Sequence, residues 1–175
     1  MAVAAAWGIP PGSSGDLAIN DQARVSTAGA VIPRALRQRR VLDRVSELAT
    51  TALGAAAGLV TVVSDDRVHV IGSTGGLPAS LPLDHFACAH VVTHGAPLAI
   101  ADTSRDPIAR LLRGSAEGTL AYAAAPVRVR GHVIGTVAVT DVRPRTFTGD
   151  DLELLEDLAG AIEHQLGRPD SLGAA

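Results

Sequence analysis

The spacing of apolar positions divides the chain into helical and extended stretches. After Pro33, Leu42, Val45, Leu48, Ala49, Ala52 and Leu53 recur at steps of three and four, the stripe of an amphipathic helix that stops at Gly54. Two β-rich runs follow, Gly58–Val63 and Arg67–Ile71, joined by Ser64-Asp65-Asp66 in the manner of a hairpin. The strongest strand signal is the pair Tyr122–Arg130 and Val133–Asp141 around Gly131-His132, where glycine first in the turn fits type II′. A last helix opens at Thr148 with Asp151 three residues on, a carboxylate form of the capping box. Its apolar stripe is Leu152, Leu155, Leu158, Ala159, Ile162 and Leu166.

Between the hairpins, residues 72–119 lack sustained periodicity, and a stretch of that length in a compact domain carries function or small elements of its own. A short helix is expected at about Asp84–Thr93, a strand at about Leu98–Ala101 and a helical turn after Asp106-Pro107, where aspartate caps and proline fits the first turn. With a Gly131-His132 turn, Val127 faces Thr136 and Ala125 faces Ala138. Val133, Val137 and Val139 then suit packing on helices. Ala123, Ala125, Thr136, Ala138 and Thr140 share the other side, small enough to floor a pocket. Residues 1–32 read as a disordered or loosely docked tail, residues 33–167 as one domain and residues 168–175 as a second, frayed tail.

Composition narrows the chemistry. The chain of 175 residues has apolar content for a real core and a net charge of −3, not the basic balance of a nucleic-acid-binding surface. Its aromatic residues are Trp7, Phe86, Tyr122 and Phe147, too few for a base-stacking platform. All basic residues are arginine, which excludes Schiff-base chemistry and a P-loop lysine. One cysteine, Cys88, excludes an intramolecular disulfide and points to a reducing cytoplasm. The early run Ala2–Trp7 is too short to span a membrane. Residues 33–53 carry five arginines against two carboxylates, net +3, and residues 148–168 carry six carboxylates against one arginine, net −5. The two terminal helices are expected on one face of the sheet, packed through apolar stripes, with charge setting the pairing preference within a chain or across a dimer.

Several clusters are candidate sites. His85, Cys88, His90 and His94 fall within ten residues, a set that residue type alone would allow for zinc or haem. No acidic ligand flanks it at a defined spacing, and a lone buried cysteine is usually a small hydrophobe, so no metal or cofactor is assigned. Asp102, Arg105, Asp106, Arg110 and Arg113 offer carboxylates that cap turns and guanidinium groups that could read an anion. Tyr122 lies at a strand start near the proposed pocket floor.

The order helix, hairpin, irregular segment, hairpin, helix resembles the GAF domain, a small-molecule sensor and dimerisation module. The residues that carry the likeness are Val41-Leu-Asp-Arg-Val-Ser-Glu-Leu-Ala, Phe86-Ala-Cys-Ala-His90, Pro97-Leu-Ala-Ile-Ala-Asp-Thr-Ser-Arg-Asp-Pro107, Tyr122-Ala-Ala-Ala-Pro-Val and Phe147-Thr-Gly-Asp-Asp-Leu. The resemblance covers about residues 36–167. It implies an α+β fold with an antiparallel sheet of five or six strands, terminal helices on one face and a ligand chamber on the other. The residues expected to contact a ligand there are Cys88, His90, Asp102, Arg105, Tyr122 and Thr136. The chain departs from known members in instructive ways. It lacks the lysine of cyclic-nucleotide binders, the Cys-His pair of bilin binders and the several cysteines of free methionine-sulfoxide reductases. The expectation is therefore a cytoplasmic sensory or regulatory domain without enzymatic activity. It would bind an unidentified small molecule and signal to a dimer mate or partner protein, with no nucleic acid or membrane involved. The alternatives are a thiol-based redox protein using Cys88, its pKa lowered by His90, and a ligand-free interaction module with a filled core.

Overall fold

The computed structural model describes residues 19–75, 77–83, 87–106 and 118–168. In chain order these form α1 (Gln22–Arg37), α2 (Arg39–Leu53), β1 (Ala57–Val63), β2 (Arg67–Ser73), β3 (Ser80–Pro82), α3 (Ala87–His94), β4 (Leu98–Ile100), β5 (Ala121–Val129), β6 (His132–Asp141) and α4 (Gly149–Gly167). The strands make one six-stranded sheet in the order β3-β2-β1-β6-β5-β4, antiparallel at every pairing. The β5–β6 hairpin thus lies inside the sheet, as its doubly apolar pattern predicts.

Helices α1, α2 and α4 cover one face, here called the back. Ala28, Val31, Leu42, Ala49, Leu155 and Ile162 pack there with strand residues such as Val60, Val62, Val137 and Val139. Both terminal charge blocks therefore lie on the same face, in contact through Gln38 and Gln165, whose side-chain amides meet at 3.1 Å. The fit of α2 to the sheet is close enough to require glycine: a Cβ on Gly72 would stand 2.6 Å from the Leu42 carbonyl carbon. The opposite face, the front, carries α3, whose Ala87 and Val91 pack over Leu59, Tyr122, Ala124 and Ala138.

The capping box of α4 forms as expected. Asp151 N–H donates to Thr148 Oγ1 at 3.2 Å, and Thr148 N–H donates to Asp151 Oδ2 at 2.8 Å. Three expectations are corrected. Residues 22–32, expected to belong to the tail, are helical. Asp21 caps α1 by accepting from Arg24 N–H at 2.7 Å, and Ala28, Val31 and Ala35 bury a narrow stripe of small residues. Pro33 sits inside this helix, not at its start, and its missing N–H is outweighed by tertiary packing. The hairpin turn is Arg130-Gly131, both residues at positive φ (52° and 83°) as in type I′, and not Gly131-His132. The expected helical turn after Asp106-Pro107 lies outside the described residues.

A bulge beside the turn sets the pairing of the rest of the hairpin. Arg128 pairs with Val133, Val127 with Gly135, and Ile134 is the extra residue of a bulge. Beyond it Ala125 faces Val137 and Ala124 faces Ala138. Ala123 and Ala125 therefore belong to the back, and the front floor is built from Tyr122, Ala124, Thr136 and Ala138.

Candidate functional site

A chain of polar side chains crosses the front of the sheet beneath α3. Thr61 on β1 and Thr136 on β6 are cross-strand partners, and their hydroxyl oxygens are 2.9 Å apart. Cys88 on α3 lies against the Thr61 side chain, and Tyr122 on β5 lies against that of Thr136. All four residues are buried. Three of them, Cys88, Tyr122 and Thr136, are sequence-predicted site residues that the fold brings together. Thr61 was not singled out because its neighbours make it look like one more β-branched strand residue. Only its register opposite Thr136 shows that its hydroxyl faces the front.

Burial sets the electrostatics of this row. Loss of solvent pushes the Cys88 thiol up to about 12, the Thr61 hydroxyl offsetting only part of the effect. Burial, and then the neighbouring Cys88, likewise raise the Tyr122 phenol well above its ordinary value. Both groups are thus neutral at physiological pH. The row can donate and accept hydrogen bonds but does not supply a thiolate. This corrects the redox reading in which His90 lowers the pKa of Cys88. Residues two apart on a helix point in different directions. The ring of His90 instead stacks on His94, with centroids 4.0 Å apart. Burial, then the proximity of His94, lowers the pKa of His90 and disfavours the imidazolium.

The remaining predicted residues stand apart from the row. Asp102 follows β4 and closes a turn, accepting from Ser104 N–H at 2.9 Å and from Ser104 Oγ–H at 2.6 Å. These hydrogen bonds hold its carboxyl below the usual range. Arg105 lies 3.6 Å from Asp102 with its side chain 88% exposed, so it is a solvated partner of that turn and not a pocket wall. His85, Arg110 and Arg113 lie outside the described residues. Among the described residues, no group of three or more His, Cys, Asp or Glu side chains is placed to hold a metal ion, and no helix is long and apolar enough to cross a membrane.

The front and back of the sheet are joined at the β5–β6 bulge. There the Arg128 N–H donates to Glu163 Oε1 of α4 at 2.7 Å, while the Arg128 guanidinium donates to the Gly95 carbonyl just past α3 at 2.6 Å. One residue thereby touches the end of the front helix and the C-terminal part of a back helix.

Among solved structures, the chain is similar to the type II free methionine-R-sulfoxide reductase of Thermoplasma acidophilum (15% identity, 74% of this chain and 94% of that chain covered, TM-score 0.62). It is similar to the GAF domain of the Acinetobacter phosphoenolpyruvate-protein phosphotransferase (15% identity, 83% and 93% covered, TM-score 0.62). It is also similar to the PixJ GAF domain of Thermosynechococcus elongatus (16% identity, 77% and 88% covered, TM-score 0.59). These identities establish a common fold. No curated protein matches the sequence.

The expectation that the chain has no enzymatic activity is corrected by these neighbours. Free methionine-R-sulfoxide reductases stand among them, so this architecture houses catalysis as well as sensing and does not exclude an enzyme. The GAF domain model matches residues 37–166, from the start of α2 to the end of α4, and with the sheet order and helix placement described above the chain belongs to the GAF domain family.

Proposed function

We infer that this GAF domain is a sensory or regulatory unit that binds a small molecule on the front of its sheet and reports occupancy through its terminal helices. The observation that carries this reading is the buried row Cys88–Thr61–Thr136–Tyr122. Buried polar groups are costly unless satisfied, and apolar side chains of similar shape would fill the same volume at little or no loss of stability. A thiol and three hydroxyls beside the small side chains of Ala124 and Ala138 support hydrogen bonding to a neutral or weakly polar ligand. Asp102 and Arg105 serve as an outer turn, and His90 as a neutral imidazole near the rim.

Transmission follows the contacts of Arg128. A ligand that shifts α3 acts on the Gly95 carbonyl and, through the same residue, on Glu163 of α4. It biases the helix arrangement only as far as its affinities for the two arrangements differ. The exposed Val41 and Leu48, seven residues apart on α2 with Leu36 close by in sequence, support a partner surface for a second copy or another signalling protein. The single free thiol supports a reducing compartment.

Native mass spectrometry of the purified chain tests the reading. A small molecule retained by the wild type and lost from Tyr122→Phe/Thr136→Val supports it. A wild-type chain that retains no small molecule, and whose melting temperature no compound of a metabolite library raises, overturns it.

A further inference from the structure

The chain crosses from one face of the sheet to the other just before α1. Helix α1 lies on the back, where Ala28, Val31 and Ala35 are buried. Ile19 precedes that helix and is only 6% exposed, yet it belongs to a front cluster with Val63, Val68, Leu83, Cys88 and Val92, the last two on α3. The short segment Ile19–Asp21 therefore rounds the end of the sheet where β1 gives way to β2.

Both ends of this segment are fastened. Arg24 Nε and Nη2 donate to the Ile19 carbonyl, the former at 2.9 Å. Its Nη1 donates to the Val63 carbonyl at 2.7 Å and its Nη2 also to that of Ser64 at 3.1 Å. Asp21 caps α1 through the Arg24 N–H, and its Oδ1 stands 3.9 Å from His132 Nδ1 at the start of β6. Burying a guanidinium carries a desolvation cost that only such carbonyls offset. The crossing is thus held by a polar clasp on the back and by one apolar plug, Ile19, on the front.

We infer that Ile19–Asp21 is a strap closing the α3 side of the front: with α1 seated, Ile19 plugs the cluster around Cys88, and lifting the N-terminal end of α1 withdraws the plug while the sheet stays folded. The inference goes beyond the proposed function because it needs no ligand. Water can replace the hydrogen bonds of the clasp, and a single large side chain forms the plug, so release exposes far less surface than unfolding does. The strap thereby couples the seating of α1 on the back to access on the front.

Cys88, 2% exposed and the one cysteine of the chain, is the reporter. The full chain is labelled with a chromogenic aromatic disulfide at pH 8 over a series of urea concentrations. Below the unfolding transition the rate is expected to be nearly independent of urea, because strap release exposes little surface. It turns steep only where global unfolding takes over. Ile19→Ala should raise the flat part about tenfold. Arg24→Met, which loosens the clasp and leaves the plug itself intact, should raise it as well. Ala49→Gly, in α2 on the back, weakens the fold elsewhere and should lift only the steep part. A rate that follows urea with the full unfolding slope throughout overturns the strap. So does a flat part that either Ile19→Ala or Arg24→Met leaves unchanged, or that Ala49→Gly raises as much as they do.

Discussion

Thr61 and Thr136 meet hydroxyl to hydroxyl across the β1–β6 pairing, 2.9 Å apart and completely buried. Cys88 lies against Thr61 and Tyr122 against Thr136, so the pair is the centre of a buried polar cluster of four. Thr136→Val leaves the buried Thr61 hydroxyl without its cross-strand partner and should cost about 1–3 kcal/mol. Thr61→Val/Thr136→Val should cost clearly less than the sum of the two single changes. Urea unfolding of the four-member cycle measures the coupling. Additive losses would show that the two hydroxyls do not act as a unit.

The raised pKa values of Cys88 and Tyr122 make stability fall at alkaline pH. A thiol whose pKa stands at about 12 in the folded chain, against an ordinary value of 9.0, leaves stability intact below pH 9. Stability then declines as pH rises toward 12. Tyr122 adds a second decline that begins near its ordinary value of 10.0. Cys88→Ala should flatten the first part of the slope and Tyr122→Phe the later part, in denaturant midpoints collected from pH 8 to 11. For the same reason, thiol reagents at neutral pH should label Cys88 only as fast as the protein opens.

Much of this architecture is legible in the residues themselves. The α2 and α4 stripes, the Thr148–Asp151 cap and the central hairpin follow from spacing alone, because each buries one strongly periodic face. Helix α1 escaped because its core contacts are Ala28, Val31 and Ala35, too small to stand out, with Gly29 and Pro33 weakening the helical signal. The floor falls on Ala124 and not on Ala123 and Ala125 because the extra residue Ile134 shifts the register by one, which exchanges the two faces of β5. Arg130 at positive φ and the extra Ile134 in β6 are both invisible to period counting. Of the candidate site, Cys88, Tyr122 and Thr136 were found as separate residues. Their joining through Thr61 depends on strand register, which no linear pattern supplies.

Tight apposition of α2 on β2 predicts opposite outcomes for two glycine substitutions. Gly72→Ala forces a methyl group against the Leu42 backbone, 2.6 Å from its carbonyl carbon, which cannot move without shifting the helix. It should destabilise by about 1–3 kcal/mol. Gly160→Ala, inside α4 with nothing within 4 Å of its added Cβ, should be neutral or stabilise by up to about 1 kcal/mol. Thermal melts of both variants decide the matter. A tolerated Gly72→Ala would mean that α2 sits farther from the sheet.

Arg24 fastens α1 to the rest of the chain. Its side chain is buried, with Nη1 donating to the Val63 carbonyl at 2.7 Å, Nη2 to the Ser64 carbonyl at 3.1 Å and Nε to the Ile19 carbonyl at 2.9 Å. The guanidinium thus joins the start of α1 to the end of β1. Burial lowers its pKa, while the charges of Asp21 and Asp65 oppose that shift. Arg24→Met keeps most of the apolar stem and leaves those carbonyls without their donor, so the loss should be about 2–3 kcal/mol and local to α1. Hydrogen exchange should show residues 22–37 losing protection while α2 and the β5–β6 hairpin keep theirs. Arg24→Lys, with one compact ammonium in place of the forked guanidinium, should restore only part of that protection. Uniform loss across the sheet would instead make Arg24 a part of the global core and α1 inseparable from it.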